Sequence, residues 1–119
     1  MSKVDVVNWL FERVNARDFD AVGALHASGA TFFAPGLGLD LEGRDAIVRE
    51  VEAAVSEFDL RYDVHRVFEQ GPFVVAFARS TGLIDGYPMG WELCGVYRFE
   101  DDQIAETWVM RGSAPHPVT

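Results

Sequence analysis

The sequence predicts an α+β domain in which three N-terminal helices pack on one face of a curved, mainly antiparallel β-sheet. Two observations carry that reading. Apolar residues recur at helical spacing through the first half of the chain, and from Asp59 onward the period changes to two. The strands of the second half are separated only by short turn signals, Gln70-Gly71-Pro72, Asp85-Gly86-Tyr87-Pro88 and Glu100-Asp101-Asp102. Connections that short favour antiparallel neighbours over crossover units, so a doubly wound sheet is excluded.

Ser2 followed by Asp5 is a capping-box pattern, and Val4, Val7, Leu10, Phe11 and Val14 then mark a first helix to about Ala16. Asp18 is an N-cap candidate for a short second helix in which Phe19, Val22 and His26 share one face. The stretch Ala30-Thr31-Phe32-Phe33-Ala34, stopped by Pro35-Gly36, reads as the first strand. A loop rich in Gly and Leu, residues 36–43, leads to a third helix beginning near Arg44 and Asp45, with Ile47, Val51, Ala54, Val55 and Phe58 as its apolar stripe. Four strands follow, at roughly 59–69, 73–84, 90–99 and 103–111.

The chain has 119 residues, enough for one domain with a real core and too few for two. Hydrophobic residues make up 49% of it, which leaves no room for a long disordered tail. With 19 acidic against 10 basic residues and a net charge of −9, nucleic-acid and anionic-membrane partners are not expected. Cys94 is the only cysteine, so no intrachain disulfide and no thiolate metal cluster can form, and a reducing compartment fits. The segment MSKVDVVNWL has an acid at position 5 and no uninterrupted apolar run, so neither a signal peptide nor a membrane span is expected, and a cytoplasmic setting is.

Strand alternation sets out which residues share a side. Residues 90–99 give Trp91, Leu93, Gly95, Tyr97 and Phe99 on one side, with Glu92, Cys94 and Val96 on the other. Residues 73–84 give Phe73, Val75, Phe77, Arg79 and Thr81 against Val74, Ala76, Ala78 and Ser80. Few of these strands have a clean solvated face. A sheet apolar on both sides needs helices on one and something else on the other, commonly a second copy of itself, so a homodimer through the outer sheet face is expected.

The order of elements resembles a known family. Asn15-Ala16-Arg17-Asp18-Phe19-Asp20 leading to Leu25-His26, then Ala30-Thr31-Phe32, Gly43-Arg44-Asp45-Ala46-Ile47, and Phe99 through Ile104-Ala105-Glu106-Thr107-Trp108, are similar to the SnoaL-like branch of the NTF2-like superfamily. The resemblance covers essentially the whole chain, and its motifs speak for fold more than function. It implies an NTF2-like (cystatin-like) cone, a curved sheet wrapped round helices with a pocket at the wide end and frequently a dimer. Members include ketosteroid isomerases, limonene-type epoxide hydrolases and polyketide cyclases.

Carried over residue by residue, the resemblance takes away more chemistry than it brings. The position of the steroid isomerases' aspartate base holds Ala34, their phenol donor falls on Leu10, and their protonated carboxylic acid falls on Gly95. Of the epoxide hydrolases' Asp-Arg-Asp set, Arg79 matches the arginine, while Thr81 and Val109 stand where the acids would be. An arginine can hold an oxyanion or carboxylate, but with a pKa above about 12 it cannot serve as a base at neutral pH.

The remaining candidates each have two readings. His26 is either a core histidine satisfied by backbone or water or the proton-transfer group, for which a reference pKa of about 6.5 suits it. Arg79 is either an anion clamp or an ion-pair partner of an acid on a neighbouring strand. Asp63 and His65, two apart on one side, share that side with Asp59, Arg61 and Glu69, the pattern of a solvated face, and His116 has no convergent partner in sequence. No metal and no cofactor is expected.

The combined expectation is a SnoaL-like small-molecule enzyme of cofactor-independent cyclase, isomerase or hydrolase type, acting on a mostly apolar or aromatic molecule. His26 would move a proton and Arg79 would stabilise developing negative charge. Leu10, Phe32, Ala34, Phe77, Gly95 and Val109 would wall the pocket, with Trp91 and Tyr97 offering stacking surface and Thr107 and Arg111 polarity. The competing expectation is a non-catalytic small-molecule-binding or dimerisation domain of the same fold.

Overall fold

A computed structural model describes residues 1–112 and 115–118. Helix α1 (Lys3–Asn15) opens on a reciprocal capping box: the Asp5 amide donates to Ser2 Oγ and the Ser2 amide to the Asp5 carboxylate, both at 3.1 Å. Val6, Val7, Leu10, Phe11 and Val14 form its buried stripe. Its C-terminal Asn15 then imitates a strand. The Asn15 side-chain nitrogen donates to the Tyr62 carbonyl and its oxygen accepts from the Tyr62 amide, each at 2.8 Å. One side chain thus satisfies an edge-strand peptide and fixes α1 against the sheet.

Helix α2 (Phe19–Ala24) is capped by Asp18, whose carboxylate accepts from the Ala21 amide. It ends before His26, which the helical pattern had included. His26 is instead the first residue of β1 (His26–Ala34). A 3-10 turn, Pro35–Leu37, and Gly38 at φ 68° reverse the chain into β2 (Leu39–Glu42), and α3 (Arg44–Phe58) follows. The three helices are therefore not all N-terminal, because a β-hairpin stands between α2 and α3. The stretch expected to be a loop contains β2, in which Leu39 and Leu41 alternate with exposed Asp40 and Glu42 in a run too short to register as a strand pattern.

Strands β3 (Arg61–Gln70), β4 (Phe73–Ile84), β5 (Tyr87–Glu100) and β6 (Gln103–Arg111) follow the period-two pattern, and a short β7 (His116–Pro117) pairs with β5. The sheet order is β2-β1-β6-β5-β4-β3, antiparallel except where β1 runs parallel to β6. The register of β3 on β4 shifts between Val64 and Arg66, so side chains beyond His65 change face.

Register defines two faces. Toward the helices run the rows Phe32–Thr107–Tyr97–Val74, Val109–Gly95–Ala76–Val67, Arg111–Leu93–Ala78–Val64 and Trp91–Ser80–Tyr62. Away from them run Phe33–Trp108–Val96–Val75–Phe68 and Met110–Cys94–Phe77–Arg66. The inward side of β4 is its small one: Val74, Ala76, Ala78 and Ser80 are fully buried, which lets α1 and the Tyr97 ring approach. No helix among the described residues is long and apolar enough to cross a membrane.

Candidate functional site

Between the helices and the inward rows lies a cavity of about 340 Å³. Leu10, Phe11 and Val14 of α1 form one wall, Ile47, Glu50, Val51, Ala54 and Phe58 of α3 a second, and Phe32, Leu93, Tyr97 and Val109 the floor. Its polar groups are few: His26, Glu50, Tyr62, Tyr97, Thr107 and Arg111. Such a mostly apolar space with a handful of polar side chains is the usual makeup of a small-molecule site.

His26 is only 2% exposed. Its Nδ1–H donates to the Val22 carbonyl oxygen at 2.8 Å, one turn back across the end of α2. A carbonyl can only accept, so this bond places the ring proton on Nδ1 and leaves the Nε2 lone pair unprotonated. Burial pushes the imidazole pKa below its ordinary value, and the nearby Arg44 charge adds to that, while the Val22 bond opposes it. Arg44 Nε donates to the His26 carbonyl at 3.0 Å and Gln103 Nε2 to the same oxygen at 3.3 Å, so the backbone at this corner is held from two elements.

Tyr97 is fully packed and folds back over Gly95, two residues earlier on the same face. A Cβ at Gly95 would lie 2.6 Å from the Tyr97 hydroxyl. Burial, with Tyr62 and Cys94 nearby, drives the Tyr97 phenol well above its usual range, so it stays a neutral donor. The Tyr62 phenol is likewise raised by burial, with the Ser80 hydroxyl opposite it in the register pulling the other way. Thr107, in the row between Phe32 and Tyr97, has a buried Oγ1 with no hydrogen-bond partner among the described residues.

Of the residues singled out from sequence, the cavity brings together Leu10, His26, Phe32, Trp91, Tyr97, Thr107, Val109 and Arg111. It does not bring in Ala34, Phe77, Gly95 or Arg79. Ala34 is fully buried but stops short of the space, and Gly95 lies beneath the Tyr97 ring. Phe77 and Arg79 are on the opposite side of the sheet, because β4 turns its small residues inward and its bulky ones outward. Phe77 is 43% exposed there and stacks on Phe68 at 6.1 Å between ring centroids. Arg79 faces Asp63 and Glu92 in the register and donates from Nη2 to His116 Nε2 at 3.3 Å. Arg79 forms no ion pair with either acid among the described residues, and its place outside the cavity takes away the geometry of a clamp on a cavity-bound anion. His65 and Glu92 also meet on this outer face, at 3.2 Å. Among the described residues no three metal-ligating side chains converge.

Sequence reasoning passed over Tyr62, Leu93 and Glu50. Leu93 shares its strand side with Trp91, Gly95 and Tyr97, Tyr62 is opposite Ser80 on the inward face, and Glu50 stands one helical turn from Ile47 in the α3 stripe, where an acid interrupts an otherwise apolar face. Cys94 is on the outer face, and burial raises its thiol pKa, which makes it a poor nucleophile.

Fold and cavity together define an α+β cone with an internal, mostly apolar cavity. A SnoaL-like domain profile matches residues 7–107, and the chain belongs to that family. No curated protein matches the chain. Among solved structures, it is similar to Bal32a from a soil-derived mobile gene cassette (TM-score 0.86, 18% identity, 92% of this chain and 88% of that one). It is also similar to IdmH of Streptomyces antibioticus, a proposed polyketide cyclase (TM-score 0.82, 19% identity, 93% and 92%). An epoxide hydrolase of M. tuberculosis superposes with a TM-score of 0.81 at 16% identity, over 92% and 82% of the two chains. At these identities the likeness shows an NTF2-like fold.

Proposed function

We propose that the protein is a cofactor-independent enzyme of cyclase, isomerase or hydrolase type, acting on a largely apolar small molecule in the cone cavity with His26 as the proton-transfer group. The observation that carries this reading is the His26–Val22 bond, which presents an unprotonated Nε2 on the wall of an apolar cavity. A neutral imidazole with a lowered pKa can accept a proton from a bound substrate at neutral pH. The sequence assigned charge stabilisation to Arg79, and that role now passes to donors on the cavity wall. The neutral Tyr97 phenol on the floor of the cavity is the donor that best suits an oxygen gaining charge, since the Thr107 Oγ1 beside it in the row is itself closed off.

A second reading, binding without turnover, is favoured by one observation: among the described residues Glu50 is the only acidic side chain on the cavity wall. Native mass spectrometry of the purified protein would identify a co-purified ligand and name the functional groups involved. With that ligand or its precursor as substrate, His26→Ala is expected to lower kcat by about 10²–10⁴-fold. Full turnover by the variant would sink the assignment, and a ligand recovered unchanged after long incubation would favour the binder.

The outer face completes the proposal as the seat of a second copy. Phe33, Trp108, Val96, Val75 and Phe68 form one apolar row across five strands, and Phe33 and Met110 are 42% and 47% exposed. Charged residues flank it, with Arg98, Glu100 and Glu106 on one side and Asp63, Arg79 and Glu92 on the other. An apolar centre with a polar rim is how protein interfaces are built.

A further inference from the structure

We infer that the cavity takes an amphipathic monoanion, an apolar body with one carboxylate-like end, whose charge is held by Arg111 and whose far end lies against His26. This rests on the cavity reading above and names the class of molecule that fits it. Arg111 is on the cavity wall, pairs with Leu93 in the register and has its guanidinium 5.8 Å from the centre of the Trp91 ring. It makes no hydrogen bond or ion pair with any described residue, although a guanidinium carries its charge at every accessible pH. Arg111 is half-buried, with its guanidinium beside Trp91 and no acid on it among the described residues, so a carboxylate in the cavity has a cation to pair with. Glu50 also lines the cavity, from the α3 wall, but forms no ion pair with Arg111.

Strand β6 spaces the two ends. His26 is opposite Ile104, and Arg111 is the last residue of that strand, seven positions further on. At about 3.3 Å per residue this separates the two backbones by roughly 23 Å. The cavity that both side chains line measures about 340 Å³, room for an eight-carbon apolar body. The wall between is Val109, which is apolar, with Thr107 and Tyr97, which carry hydroxyls but no charge. One anion at one end therefore fits, and a dianion would place its second charge against apolar side chains or Glu50.

Binding of octanoate, 1-octanol and octylammonium to the protein, followed by calorimetry below their aggregation concentrations, tests this. Octanoate is expected to bind about tenfold tighter than 1-octanol. Arg111→Gln should abolish that difference while leaving 1-octanol affinity within about twofold, and added salt should narrow it in the parent protein. Equal affinities for octanoate and 1-octanol, or a preference that survives in Arg111→Gln, overturn the anion station and leave the cavity reading intact. Octylammonium binding tightest assigns the charged end to Glu50 and likewise overturns it. If none of the three binds, the cavity reading fails and the inference falls with it.

Discussion

Both faces of the sheet carry apolar rows, and side-chain size separates those rows. On β4 the inward side chains are Val74, Ala76, Ala78 and Ser80, and the outward ones are Phe73, Val75, Phe77 and Arg79. The face that meets the helices is the one with less to bury per residue. Small side chains there make room for Phe11, Leu10 and the Tyr97 ring, and it is that room which continues as the cavity. Among the described residues the bulkier face has no helix packed on it, only the C-terminal segment around His116 at Arg79. Apolar content marks a surface that will be covered; size tells whether the cover comes from the same chain.

The sharpest way to break this comparison is to exchange bulk between the faces. Ala78→Phe adds a ring where relative exposure is zero, and it is expected to destabilise by about 3 kcal/mol, at the upper end for overpacking. Phe77→Ala, one residue away on the other face, is expected to cost about 1 kcal/mol, chiefly the contact with Phe68. Chemical denaturation of both variants reads the two numbers. Similar losses for the pair would mean that the faces are not distinguished by packing at all.

Gly95 sharpens the same point within the inward face. Ala at this position meets the Tyr97 ring, whose hydroxyl would be 2.6 Å from the new Cβ. The ring is buried and cannot swing aside freely, so a loss of about 2 kcal/mol is expected on Gly95→Ala, measured by the same unfolding curves. Restoration of stability in Gly95→Ala with Tyr97→Leu would show that the cost is the ring contact. Additive losses would place it in the backbone instead.

How much of this was legible follows from what each face had to signal. Period two announced β3 to β6 and helical period announced α1 and α3, because those segments are long enough for alternation to accumulate. Strand β5 was resolved to the correct faces because Trp91, Leu93, Tyr97 and Phe99 make one side plainly larger. On β4 the same rule pointed the wrong way and carried Phe77 and Arg79 with it, since large apolar residues there face a surface with no helix on it. His26 looked helical because it is four residues from Val22, and the i to i+4 relation is real: it is the Nδ1 to carbonyl bond itself, made from a strand rather than from a helix. The β1–β2 hairpin was missed because four residues, Leu39–Glu42, give alternation too little length.

The inward face also contains a titratable group that the outward face can be compared against. His26 is neutral when folded, with its pKa below the unfolded value of about 6.5. Between the folded and unfolded pKa values the unfolded chain binds more protons, so stability is full above about pH 6.5 and falls as the pH drops toward and through the lowered folded value. Melting temperatures from pH 7.5 to 5 should therefore fall more for the parent protein than for His26→Gln, which can still donate to Val22 and does not titrate. Parallel curves for the two would mean that His26 is not held neutral by burial, which would also remove the basis for its role as a base.

The smallest expected effect on stability is on the outward face, and there the comparison becomes a statement about assembly. Met110 is 47% exposed beside Trp108 and Phe33, around a shallow hollow of about 230 Å³. Within one chain little depends on it, and Met110→Glu is expected to change unfolding stability at dilute concentration by no more than about 0.5 kcal/mol. A charge in the middle of an apolar row does matter if a second copy covers that row, because it would be buried without a partner. Sedimentation velocity should then show a dimer for the parent protein and a monomer for Met110→Glu. A parent protein that sediments as a monomer at all concentrations would leave the outward apolar row uncovered, and size alone would no longer explain why Phe33, Phe77 and Met110 face away from the core.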